Sequence, residues 1–188
     1  MSRLDDLIRH YDQFVSLPWE QGLSGLQKVW FVVYDKEDER RLRVQIGEFE
    51  LATKKAGRGW KHVDLTDAFA RWMSAHDYRE DYFEEPDFLD DMALEPFHQS
   101  ICTEVREALE NSSTDENTVV TIQGIASLFG FTKVSRLIRD LETAIRGRLL
   151  VFFPGEYENN NYRLLDARDG WNYMAVPITA HSGNGADA

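Results

Sequence analysis

The sequence predicts a three-layer α/β domain: a mainly parallel sheet flanked by helices, closed by an antiparallel hairpin. Three observations carry this. Two strand-like runs, KVWFVVY at 28–34 and RLLVFF at 148–153, each a basic residue followed by an unbroken apolar stretch, have the β-branched and aromatic make-up of strands buried on both faces. Between them, strand-like and helix-like patterns alternate, which implies parallel strands joined by helical crossovers. Near the C-terminus, Asp169-Gly170 is a tight-turn signal between YRLLD (162–166) and WNYMAVPI (171–178), the strands it would join.

The elements follow in order. Residues 2–15 form an amphipathic helix, with Leu4, Leu7, Ile8, Tyr11, Phe14 and Val15 on one stripe and Ser2 as its cap. Pro18 and Gly22 break the chain before the first strand. Asp35 ends that strand and caps a helix with Leu42, Ile46, Phe49 and either Leu51 or Thr53 inward, stopped by Gly57 and Gly59. WKHVDLT (60–66) is a second strand, followed by a helix with Phe69, Trp72 and Met73 inward. Residues 77–95 are an acidic insert with aromatics, and a helix over 95–111 carries Phe97, Ile101, Val105 and Leu109 four residues apart. TVVTIQG (118–124) is a third strand. The next helix turns Val134, Leu137, Ile138, Leu141 and Ile145 inward and ends on Arg146 and a left-handed Gly147 cap. RLLVFF is the fourth strand, stopped by Pro154-Gly155. The expected organisation is one α/β domain over 1–178 and a disordered tail over 179–188.

Composition narrows the function. With 188 residues and 43% hydrophobic content, the chain can bury one sizeable core. No apolar run approaches the ~20 residues of a membrane span. The one cysteine, Cys102, allows no internal disulfide, and a cytoplasmic location is expected. The net charge of −12 disfavours direct DNA binding and points to protein partners or plain solubility.

Catalytic signatures fail one by one. The segment Gly124 to Lys133 follows a strand, where a phosphate loop would sit. Its glycines are one residue too far apart, Lys133 is displaced, and Leu128, Phe129 and Phe131 are better suited to packing than to cradling an anion. No G-x-G-x-x-G or G-x-S-x-G occurs. His10 and His76 read as solvated helix residues and His62 as an outward strand residue. No histidine is read as lying beside Cys102, so no metal or other cofactor is expected. The acidic insert reads as a solvated face, or as a docking surface in which Tyr82, Phe83 and Phe88 are aromatic anchors among carboxylates.

The second candidate surface follows the fourth strand. There Glu156, Tyr157, Asn159, Asn160, Asn161 and Arg163 decorate the carboxyl edge of the sheet, with Asp166, Arg168 and Asp169 beyond. The asparagines build a turn or recognise a phosphate or peptide; both readings stand. No general base–nucleophile pair accompanies them, so an enzyme is not expected.

TVVTIQGIASLFGFTKVSRLIRDL (118–141) and GRLLVFFPGEYENNNYRLLDARDGWNYMAVPI (147–178) resemble the BrxB family of bacteriophage-exclusion (BREX) defence systems. The matching positions are Gly124, Phe129, Val134, Leu137, Phe152, Phe153, Pro154, Gly155, Glu156, Tyr157, Arg163, Leu164 and Tyr173. The ENNN segment and the DARDGW turn depart from the family pattern and place the chain in a divergent branch. The resemblance implies a cytoplasmic, non-catalytic accessory protein and a P-loop-ATPase-like core that has lost its nucleotide signature. It also implies partners among a phosphatase-like protein, a DNA methyltransferase and an ATPase. An adaptor binding such proteins is the leading expectation. The alternative is a nucleotide- or nucleic-acid-phosphate sensor using Arg163, Arg168 and the asparagines, with Lys133 assisting. A phosphoesterase using Glu156 or Asp166 comes last.

Overall fold

The two apolar runs lie side by side at the centre of the sheet. In the computed structural model, which describes residues 2–165 and 174–181, Val29–Tyr34 (β1) and Arg148–Glu158 (β4) pair in parallel from Val29↔Leu149 to Tyr34↔Pro154. β4 is flanked on its other side by Thr118–Gln123 (β3), and β3 in turn by Gly59–Asp64 (β2). Val176–Ile178 (β6) adds in parallel to the free edge of β1. The order is β2-β3-β4-β1-β6, and every neighbouring pair on this path is parallel. Every residue of β1 and β3 is buried, because helices cover both faces and leave no side of these strands to water.

Arg3–Ser16 (α1) and Glu39–Lys55 (α2) form one covering layer. Ser2 caps α1 in a capping box with Asp5, and Leu4, Leu7, Tyr11 and Val15 turn inward. Asp35 caps the short 3₁₀ turn at 36–38 that leads into α2. Thr53, not Leu51, is the inward residue of α2: its hydroxyl meets Tyr11 Oη at 2.6 Å, while Leu51 is 61% exposed. This layer packs on Trp30, Val32, Tyr34, Leu150 and Phe152. The alternate residues of the same strands, Phe31, Val33, Val151 and Phe153, meet the opposite layer. That layer contains Ala68–Ser74 (α3), Asp91–Glu110 (α5) and Val134–Leu141 (α6). Arg79–Glu84 (α4) and a 3₁₀ turn at 86–88 form a lobe from the acidic insert between α3 and α5.

Several expectations change at this point. Pro154-Gly155 does not stop the fourth strand, which runs on to Glu158. Pro154 stands at the last register position with β1 and beyond the last with β3, so its missing N–H breaks no continuing ladder. From Gly155 onward β4 pairs antiparallel with Asn161–Leu164 (β5). The closing antiparallel hairpin is therefore β4–β5, turned at Asn159-Asn160. β5 and β6 do not pair with each other but lie on different strands, and Asp169-Gly170 lies outside the described residues. Gly155 is required for contact: a Cβ there would stand 1.9 Å from the Arg163 carbonyl oxygen across the hairpin. Gly147 is not a left-handed cap; it permits the close approach of β3, since a Cβ would lie 2.0 Å from the Thr118 carbonyl oxygen. Beyond β6, the Thr179 carbonyl meets His10 Nδ1 at 2.8 Å; residues 182–188 of the expected tail lie outside the described residues.

Candidate functional site

The hairpin begins where the parallel sheet ends. Past Tyr34, β4 has no parallel neighbour left and continues as one arm of a two-stranded extension. Asn159 and Asn160 turn it with φ of +50° and +64°, the left-handed backbone that asparagine tolerates and a tight hairpin demands. Asn160 Oδ1 accepts from Tyr157 Oη at 2.7 Å, and Asn161 Nδ2 donates to the Asn159 carbonyl at 3.2 Å. Glu156 and Arg163 stand opposite each other in the ladder and form an exposed ion pair at 3.4 Å. Underneath, Tyr162 is fully buried, lies edge-on to Phe31 and donates to the Ala175 carbonyl at 2.7 Å. The structure thus brings Glu156, Tyr157, Asn159, Asn160, Asn161 and Arg163 into one hairpin whose polar groups largely serve one another. Asp166 and Arg168 lie outside the described residues.

An open cleft of about 1300 Å³ lies beside this hairpin at the carboxyl ends of β1, β4 and β6. Open α/β sheets place ligands at such an edge, where the strand order reverses. Its charged lining is mostly acidic: Asp35, Glu37, Asp38, Glu156 and Glu158 stand against Arg3 and Lys36, with His10 and His181 at the side. Burial, with a hydrogen bond donated to the Glu39 carboxylate, holds the Tyr34 phenol well above its ordinary pKa, so it remains a neutral donor.

Of the three side chains expected to pack in the segment after β3, Leu128 and Phe131 do and Phe129 does not. Leu128 is fully buried, Phe131 stacks on Phe69 with ring centroids 3.9 Å apart, and Phe129 is 51% exposed. The acidic lobe is different. Tyr78, Phe83, Phe88 and Met92 are 65%, 64%, 60% and 84% exposed, among Glu80, Asp81, Glu84, Glu85 and Asp87. Tyr82 is half-buried beside His76, which sits in the connection after α3 rather than on a helix.

One cluster contradicts the expectation that no histidine accompanies Cys102. His98 lies one helical turn before it on the inward face of α5, and its Nε2 stands 3.4 Å from Cys102 Sγ and 2.7 Å from Asp140 Oδ2 of α6. His98 Nδ1 meets Thr132 Oγ1 at 2.7 Å. The i, i+4 spacing of His98 and Cys102 is visible in the sequence; Asp140 and Thr132 arrive only with the fold. Burial, reinforced by the Asp140 charge, pushes the Cys102 thiol up to about 11. Cys102 and Asp140 both address Nε2, so the imidazole does not relay between them as it would in a nucleophile–base–carboxylate triad, where the partners use opposite ring nitrogens.

Fold and site together define a three-layer α/β protein with an acidic cleft at its strand ends and an exposed aromatic lobe. The chain belongs to the BrxB family: the family model described as "BREX protein BrxB" matches residues 61–178. It is accordingly an accessory protein of BREX anti-phage defence. The match begins inside β2 and takes in the lobe, the α5–α6 cluster and the hairpin. No curated protein and no solved structure matches the chain. Among the described residues, no helix is long and apolar enough to cross a membrane.

Proposed function

We propose that this chain is a non-catalytic adaptor that binds another BREX protein in the cytoplasm through its acidic-aromatic lobe, with the β4–β5 hairpin as a second contact. The observation that carries this reading is the exposure of Tyr78, Phe83, Phe88 and Met92 in one short lobe ringed by carboxylates. Large exposed apolar groups with a polar rim are the make-up of a protein interface, and the rim selects a basic partner surface. The family context supplies the candidates: a phosphatase-like protein, a DNA methyltransferase or an ATPase. The test is a pull-down of the tagged chain expressed from its native operon. Stoichiometric recovery of one such protein, lost when Phe83 and Phe88 are both changed to Ser, supports the adaptor; recovery of the chain alone removes it.

The position of the cleft favours a second reading, a phosphate-ligand sensor built on a degenerate P-loop-like core. In support of that ancestry, β1 lies inside the sheet and passes directly into a helix, as in a phosphate-loop unit. The connection, however, reads Asp35-Lys36-Glu37-Asp38, with no glycine, and its carboxylates repel phosphate. The adaptor reading therefore ranks first. Saturable ATP binding at physiological salt would reverse that order.

A further inference from the structure

We propose that His98, Cys102 and Asp140 form a binding site for a zinc-class divalent metal ion that ties α5 to α6. The inference stands apart from the adaptor reading. Its ground is convergence: one imidazole nitrogen, one sulfur and one carboxylate oxygen, from two helices, all lie within 4.8 Å of one another. A tetrahedral centre with zinc-type bond lengths has ligand–ligand edges of roughly 3.4–3.6 Å. The Nε2···Sγ distance is already 3.4 Å. The Nε2···Oδ2 distance of 2.7 Å must open by about 0.7 Å, and the remaining edge from Cys102 Sγ to the carboxylate, within the 4.8 Å spread of the cluster, must close; both are movements of Asp140, whose side chain is 43% exposed.

Thr132 supplies the support that metal-bound histidines use. With its Nδ1–H donated to Thr132 Oγ1, the ring presents the Nε2 lone pair to the ion. On binding, the Nε2 proton is replaced by one at Nδ1, so the imidazole stays neutral. The Cys102 thiol gives its proton to solvent and binds as thiolate. The fourth position opens on the exposed side of Asp140 and takes water. Arg136 Nε lies 3.8 Å from Asp140 Oδ2, but its guanidinium is engaged by Glu95 at 2.7 and 2.8 Å, which tempers its competition with the ion. The mixed nitrogen, sulfur and oxygen set selects zinc-class ions over Mg²⁺ or Ca²⁺, which require oxygen donors.

The test is titration of the metal-stripped full chain with Co²⁺, a spectroscopic stand-in for zinc. One equivalent should give a thiolate-to-cobalt charge-transfer band with tetrahedral visible bands, displaced by Zn²⁺ and insensitive to Mg²⁺. Cys102→Ser should abolish the charge-transfer band. Thr132→Ala, which keeps all three ligands, should weaken binding roughly 10- to 100-fold, with Thr132→Ser restoring it. Absence of the band at one equivalent, or a band that persists in Cys102→Ser, overturns the site. Should Cys102→Ser fail to fold, Asp140→Asn at the exposed ligand reads the same question: unchanged cobalt affinity there also overturns it.

Discussion

The double substitution Phe83→Ser, Phe88→Ser tests the proposed interface most directly. A phenylalanine side chain that becomes fully buried covers ~150–250 Å². At 64% and 60% exposure, each of these rings has more than half of its surface still to lose to a partner. That is roughly 100–150 Å² per ring, or about 2.5–4 kcal/mol at ~25 cal/mol per Å². If both rings are buried at the contact, each single variant should weaken binding roughly 60- to 600-fold, and the pair by more. The same exposure says that the fold should not respond: substitutions at such surface positions shift stability by about 0.5 kcal/mol or less. The assay is titration calorimetry against the partner recovered from the operon pull-down, with thermal unfolding as the control. Rising salt should slow association, because the carboxylate rim steers the encounter. A double variant that binds within twofold of the parent, with equal thermal stability, would refute the aromatic anchor.

Arg163→Ala removes an exposed ion pair with Glu156, worth about 1 kcal/mol at most, so the fold should persist while partner recovery falls; unchanged recovery of every partner takes the hairpin out of the contact. Tyr162→Phe deletes the buried bond to the Ala175 carbonyl and should cost ~1–3 kcal/mol, read as a lower denaturation midpoint with an unchanged slope. Arg136 beside Glu95 holds that carboxyl at about 2, below its ordinary 4.5. Folding thus lowers this pKa. The clasp favours the folded state above pH 4.5 and loses that contribution as pH falls through about 2. Carboxyl NMR should place the Glu95 midpoint near 2, moving up toward 4.5 in Arg136→Gln; an equal midpoint in both proteins would dissolve the pairing.

What was legible in the sequence is what depends on neighbours along the chain. Helical spacing located the buried stripes of α1 and α5, the Ser2 and Asp35 caps follow from local hydrogen bonding, and unbroken apolar runs marked the strands buried on both faces. Pro154-Gly155 misled because a proline ends a strand only where its N–H is needed, and that depends on where β1 and β3 run out. The same ignorance of pairing assigned the hairpin to Asp169-Gly170 instead of Asn159-Asn160. Asp140 is forty-two positions from His98, so only the packing of α6 on α5 brings it to the imidazole. Half of that cluster was nonetheless in view, since His98 and Cys102 share a helix face.

The cluster and the lobe meet in a mechanical argument. The lobe leads directly into α5, whose first turn is fixed by the Asp90 cap on the Ala93 amide. Within the next two turns α5 is tied to α6 twice, by Glu95 to Arg136 and by His98 to Asp140. Phe88 stands just before this anchored segment and Met92 in its first turn. An anchor residue held in place contributes more net affinity than a free one, because less conformational entropy is lost on docking. A metal ion at His98, Cys102 and Asp140 would stiffen the same base. Partner affinity should therefore rise with zinc in the parent chain and not in Cys102→Ser, although no metal ligand touches the proposed interface. Equal affinity with and without zinc in a parent chain already seen to bind cobalt would separate the two features, leaving the metal as a local brace of the helix pair.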